Sequence, residues 1–207
     1  MIYLGGRAPE LQPRTWVQLR AVPAASISPG TTCMVKDYAY QRWVWDGTYW
    51  KPMQGRARIN GGNGSPLATL SGIASGLFAL PAITIPVGMF FDGATIRAEV
   101  MLKKTTSTAT WGAMAYIGPL GTSSDLNFGI ISNSAPANAC TRLSSVAVIT
   151  SGSIIGSRYT GPHGVDNGAA SVAAVSMATD LKVSLGVAFA NVADTFHLQS
   201  YLVTLEA

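Results

Sequence analysis

Every few residues the apolar runs of this chain are broken by a glycine, a proline or an Asp-Gly pair, as in "PAITIPVGMFFDGATIRAEVMLKKT" at 81–105. A helix of ordinary length needs about eleven residues with period 3.6. Here the runs between breakers are short and mostly alternate. With 22 glycines, 11 prolines and only 12% charged residues, the texture suits brief strands joined by turns.

The densest local signal is "YQRWVWDGTYWKP" at 40–52. Trp43 and Trp45 share one strand face, Asp46-Gly47 supplies the tight loop, and Trp50 returns on the partner strand, which predicts a hairpin. A module of about forty residues buries little surface, and indole rings cover the most area per residue, so these rings are read as structural stitching. Upstream, "WVQLRAVPAA" and "CMVKDY" alternate around the turn "SISPGTT". The organisation expected is an extended, proline-bearing arm at 1–15, a tryptophan-rich β-module at 16–54, a flexible Gly/Asn-rich joint at 55–66, and a β-sandwich at 67–207.

In the last region strands are expected in "ITI", from Thr95 to Leu102, in "ATWGAMAYIG", "LNFGIIS", "SSVAVIT" and "SIIGSRYT", and, against some helical composition, in "GAASVAAVSMATD". "DLKVSLGVAFAN" puts Leu181, Val183, Leu185 and Val187 on one face. In "TFHLQSYLVTLEA" strict alternation puts Phe196, Leu198, Ser200, Leu202 and Thr204 on one face and His197, Gln199, Tyr201, Val203 and Leu205 on the other. Seven to nine such strands make a two-sheet sandwich, with jelly-roll topology the leading choice.

Two longer patterns carry a resemblance. "PAASISPGTTCMVKD" followed by "WVWDGTYWKPMQG" resembles the small β-module of tailed-bacteriophage virion proteins. "ITIPVGMFFDGATIRAEVMLKKT" with the terminal "LGVAFANVADTFHLQSYLVTLEA" resembles the jelly-roll domain of phage head-fibre, decoration and tail-fibre proteins. Thr105 to Ser176 matches neither pattern. The resemblance implies a homotrimer held to a capsid or tail by its N-terminal end, with the jelly-roll projecting outward. Particle contacts are then expected at Arg7, Arg14, Trp16 and Arg20, and trimer contacts at Ile85, Pro86, Phe196, Leu198 and Tyr201. The apolar surplus gives the trimer a physical motive, because a monomer this weakly charged is expected to expose patches.

Residues 1–58 hold eight Lys or Arg against three acids, so the basic end is the N-terminal one. No run of adjacent cations suggests nucleic acid. The uncharged stretch Ile59 to Phe91 contains Pro66, Pro81 and Pro86 and offers no unbroken span of about 18 apolar residues, and the N-terminus has no apolar core of signal-peptide length. Membrane insertion is not expected, and the chain is expected to start in the host cytoplasm.

Chemistry has little to work with. Cys33 and Cys140 lie far apart, and with His163 and His197 they lack zinc-ligand spacing. His163 and Asp166 share a glycine-rich loop, but no G-x-S-x-G elbow accompanies them. Three Glu and seven Asp are few for a paired-carboxylate glycosidase, and Asp46, Asp92, Asp166 and Asp194 sit in turns. No catalytic, metal or cofactor residue is therefore assigned, and the chain is expected not to be an enzyme. The alternative kept open is a receptor-reading module that binds host surface glycan through Trp111, Tyr116 and Tyr159.

Overall fold

The computed structural model describes residues 9–73, 75–105, 111–133, 140–156, 171–188 and 191–207, and it is all-β: a small sheet followed by a two-sheet jelly-roll. The small sheet has strands β1 (Glu10–Arg14), β2 (Thr32–Val35), β3 (Gln41–Trp45) and β4 (Trp50–Pro52) in that order. β1 pairs with β2 in parallel, with Glu10 opposite Thr32 and Leu11 opposite Cys33. The end of the expected arm is thus a strand of the module.

Between β1 and β2 lies helix α1 (Trp16–Arg20), where alternation had predicted a strand. The cause is a capping box. The Gln18 backbone N–H donates to the Thr15 hydroxyl at 3.3 Å, and the Thr15 N–H donates to the Gln18 side chain at 3.1 Å. The Asp37 carboxylate accepts from the Trp16 N–H at 2.9 and 3.1 Å, satisfying another donor of the first turn. Trp16 and Leu19, three apart, turn the same way and are buried, while Val17 stays exposed.

The hairpin forms as expected. Trp45 faces Trp50 across the strands with ring centroids 5.6 Å apart, and Trp43 lies opposite Pro52. Gly47 takes φ +109°, and one Asp46 oxygen accepts from the backbone of Thr48 and of Tyr49, each at 2.7 Å. Trp43 packs on Trp16 of α1 at 5.0 Å, so the two-layer module is a sheet closed by one helical turn.

The expected joint is a strand. β5 (Arg56–Ser71) runs antiparallel to the last strand of the chain. Its glycines are loop-like in composition, but Gly62 lets the neighbouring strand's Tyr201 ring lie close over it: a Cβ there would stand 3.0 Å from that ring, which would have to shift by a few tenths of an ångström. Beyond β5 come β6 (Gly76–Leu77), β7 (Ile83–Ile85), β8 (Thr95–Thr105), β9 (Trp111–Gly118), β10 (Leu126–Asn133), β11 (Cys140–Thr150), β12 (Ser153–Gly156), β13 (Ser171–Ala174), β14 (Leu181–Ala188) and β15 (Thr195–Glu206). Between β7 and β8, residues 89–91 ahead of the Asp92-Gly93 turn form no strand.

One sheet has the order β13-β12-β11-β8-β15-β5, and the other β10-β9-β14-β6, with β7 also on β14. The antiparallel pairs nest: β5 with β15, β6 and β7 with β14, β8 with β11, β9 with β10, alternating between the sheets. That wrapping is the jelly-roll. Leu181, Val183, Leu185 and Val187 all face the interior, and Trp111 of β9 meets Phe196 of β15 across the sheets at 5.3 Å.

Strict alternation fails on β15. The register shifts between Leu198 and Ser200, so the inward face passes from Phe196 and Leu198 to Val203 and Leu205. A bulge of this kind switches faces for the rest of a strand.

Candidate functional site

Two surfaces are organised enough to consider: the junction of the module with the jelly-roll, and the outer face of the larger sheet.

At the junction the Val87 peptide is held from both sides. Its N–H donates to Asp180 at 2.8 Å, and its carbonyl accepts from the Trp16 indole at 3.2 Å. Tyr49 stacks on Phe91 at 5.6 Å, and the Lys51 ammonium stands 5.0 Å from the same ring. Burial, reinforced by Asp37 and Asp180, pushes the Tyr38 phenol up to about 12. A second contact is made by Gln41, whose side chain accepts from the Arg58 N–H and donates to the Arg58 carbonyl, both at 2.7 Å. Its amide thus acts as one rung of a missing neighbour strand on β5. Farther along the same strand Asn60 accepts from the Gly61 N–H at 2.7 Å and Arg58 donates to the Gly61 carbonyl at 3.0 Å. Module and jelly-roll share one continuous core.

The expected particle contacts fare unevenly on this geometry. Trp16 is 1% exposed and belongs to the junction, so it is unavailable for docking. Arg14 is half-buried, with Nε finding no hydrogen-bond partner among the described residues. Arg20 is exposed, its stem lying over Gly88. Arg7, Tyr159, His163 and Asp166 lie outside the described residues.

Three expected trimer contacts are corrected. Ile85, Phe196 and Leu198 are fully buried in the chain's own core, which leaves Pro86 and Tyr201 half-buried at the surface. The apolar surplus goes the same way: large exposed hydrophobics such as Val17, Leu120, Val172 and Val192 are dispersed over separate elements. The glycan-platform reading loses two rings for the same reason, since Trp111 is fully buried and Tyr116 is 9% exposed, its hydroxyl directed at Met114 Sδ. Cys33 and Cys140 are free thiols, and burial pushes the Cys33 thiol up. Among the described residues no three His, Cys, Asp or Glu side chains gather as a metal site, and no helix is long and apolar enough to cross a membrane.

The outer face of the larger sheet was not singled out from sequence. Alternation on β8 turns Ile96, Ala98, Val100 and Leu102 inward and Arg97, Glu99, Met101 and Lys103 outward. Neighbouring strands add Arg56 and Arg58 from β5 and Arg142 from β11, whose register sets Arg142 opposite Met101. Glu206 bonds Arg97 Nε at 3.1 Å and lies 3.4 Å from Arg56, while Glu99 pairs with Arg142 and lies 3.6 Å from Arg56. The Arg142 hydrogen bond outweighs burial and holds the Glu99 carboxyl below its usual range, and the Glu206 bond holds the Arg97 cation more firmly. Beside this network lies an open depression of about 240 Å³, lined by Asn63, Glu99, Met101, Arg142, Ser200 and Leu202 among others. The only sequence cue was the outward set of a period-2 strand, visible once the register is known.

No protein-family model and no curated protein matches the chain. Among solved structures it is similar to chains of infectious bursal disease virus. For the Gx strain the identity is 10% and the TM-score 0.27, over 72% of this chain and 32% of that one. For the Gt strain the identity is 8% and the TM-score 0.25, over 72% and 33%. The chain therefore spans about a third of the length of those it matches.

Proposed function

We propose that this protein is a non-catalytic structural component of a bacteriophage virion: a capsid decoration, head-fibre or tail appendage protein, trimeric and seated by its N-terminal module. The observation that carries the reading is the junction. A small module locked to a jelly-roll through Trp16, Val87, Asp180 and Gln41 can transmit position from a particle to a projecting domain, which a flexible tether cannot. Jelly-rolls serve in viral capsids and in lectins, and the motif resemblance at 23–55 and in the paired jelly-roll segments points to the first. The seat is assigned to exposed module residues such as Arg20, Tyr40 and Met53, not to Trp16.

Host-range reading of a surface glycan is the second possibility, favoured by the depression of the outer sheet face, where Arg142, Glu99, Asn63 and Ser200 stand beside apolar side chains, rather than by Trp111 or Tyr116. Quantitative gels of purified parent particles, probed with antibody to this chain, test the assignment. Many copies per particle indicate a head protein and a few indicate a tail protein; none overturns it. Light scattering of the purified chain at micromolar concentration tests the trimer, which a monomer mass would remove.

A further inference from the structure

We propose that the depression on the outer face of the larger sheet is a binding site for a carboxylate-bearing sugar, a hexuronic or sialic acid unit within an oligosaccharide. The inference deepens the second reading above, and rests on it only for where such a ligand would be met.

The charge of the face comes first. Among the described residues its outward side chains include five cations, Arg56, Arg58, Arg97, Lys103 and Arg142, against two carboxylates, Glu99 and Glu206. Both carboxylates are already held by arginines. The excess is large for a chain of formal net charge +4, and it favours an anion.

The lining of the depression narrows the choice among anions. At one wall the Arg142 side chain is 69% exposed, so its guanidinium keeps donors free for a second carboxylate after pairing with Glu99. Glu99, 16% exposed, keeps acceptor capacity, as do the Asn63 amide and the Ser200 hydroxyl. Met101 and Leu202 supply apolar surface beside them. A ligand matching all of this carries an anion for Arg142, hydroxyl donors for Glu99 and Asn63, and a C–H face for Leu202. An acidic sugar has the three together. An acidic peptide supplies the anion but sets further carboxylates against Glu99, and a phosphate chain does the same. At about 240 Å³ the space is smaller than the roughly 300–1,000 Å³ of sites for drug-sized ligands, which suits one ring of a longer chain.

The test uses the purified full chain and titration calorimetry. Sialyllactose and methyl glucuronide, each with a single carboxylate, are compared with their neutral counterparts, lactose and methyl glucoside, and with a glutamate hexapeptide and single-stranded DNA. The proposal expects at least one acidic sugar to bind about tenfold more tightly than its neutral counterpart, and Arg142→Ala to weaken it by about tenfold or more, the size of one charge-assisted hydrogen bond. Arg142→Lys restores the charge without the fork and is expected to recover binding only in part. Leu202→Ala is expected to weaken acidic and neutral sugars alike. An unchanged circular dichroism spectrum and a single cooperative transition in the Arg142 variants show that the fold is intact, the melting temperature of Arg142→Ala falling only by the loss of the Glu99 pair.

Equal binding of acidic and neutral sugars overturns the proposal, and so does no binding by either. Glutamate peptide or DNA binding as tightly as the sugars would mark a general polyanion face instead. Binding unaffected by Arg142→Ala would place the site elsewhere. None of these outcomes touches the copy-number test, so the virion assignment and the sugar site fail separately.

Discussion

Trp16 does three things at once: it starts a helix, packs on Trp43, and donates its indole proton to the far side of the junction. Truncation to alanine opens a cavity and removes the indole hydrogen bond to the Val87 carbonyl, so Trp16→Ala is expected to lower stability by about 3–5 kcal/mol in denaturant titration. Trp43→Ala should fall in the same range. Asp46 and Glu99 link stability to pH. At Asp46 burial acts upward but is outweighed by bonds from the Tyr49 backbone, Lys51 and the Thr48 backbone, while Glu99 is held down chiefly by Arg142. Both carboxyls sit below their unfolded values, so their stabilisation is complete above about pH 4 to 5 and is lost as pH falls through the folded values. Melting temperatures taken from pH 7 to pH 3 should drop at the acid end, and the drop should be shallower in the Asp46→Asn, Glu99→Gln double variant. A melting temperature that rises on acidification would contradict this linkage.

Elements show where periodicity suffices and where it does not. The Trp hairpin and β14 were legible because turn chemistry and alternation agree there with tertiary burial. Helix α1 escapes periodicity although Thr15 and Gln18 carry its cap, since five residues are too few to separate period 2 from period 3.6. β5 escapes it because its backbone partners, Leu202 and Tyr201 among them, lie far along the sequence, and local composition describes only the unpaired state. Phe196 and Leu198 are unavailable as trimer contacts because both point into the chain's own core, while the bulge after Leu198, which no rule of alternation announces, is what turns Val203 and Leu205 inward. Gln41 is the element-scale device open to test. Gln41→Ala leaves the Arg58 N–H and carbonyl without that partner, with an expected loss of about 1–3 kcal/mol and faster hydrogen exchange at the Arg58 amide. Gln41→Glu keeps the acceptor and loses the donor, and should fall between wild type and alanine.

For the molecule as a whole, the continuous core predicts that module and jelly-roll unfold together. Calorimetry should give one transition in the wild-type chain, and in Trp16→Ala the module should melt first. Two transitions in the unaltered protein would mean that the junction is weaker than its contacts indicate. The site on the outer sheet face depends on this scale too. Its residues come from β5, β8, β11 and β15, and no stretch of the sequence contains more than a fraction of them.

The place of β15 has a consequence for biosynthesis. β15 comes after all the other described strands in the sequence yet lies between β5 and β8, both made long before it. Until residues 195–206 have emerged from the ribosome, the larger sheet has a gap in its middle, and the two half-sheets on either side show open edges to the crowded cell. Closure waits for that one strand. A stop codon ahead of Thr195 would then leave an aggregating product rather than a slightly shorter one.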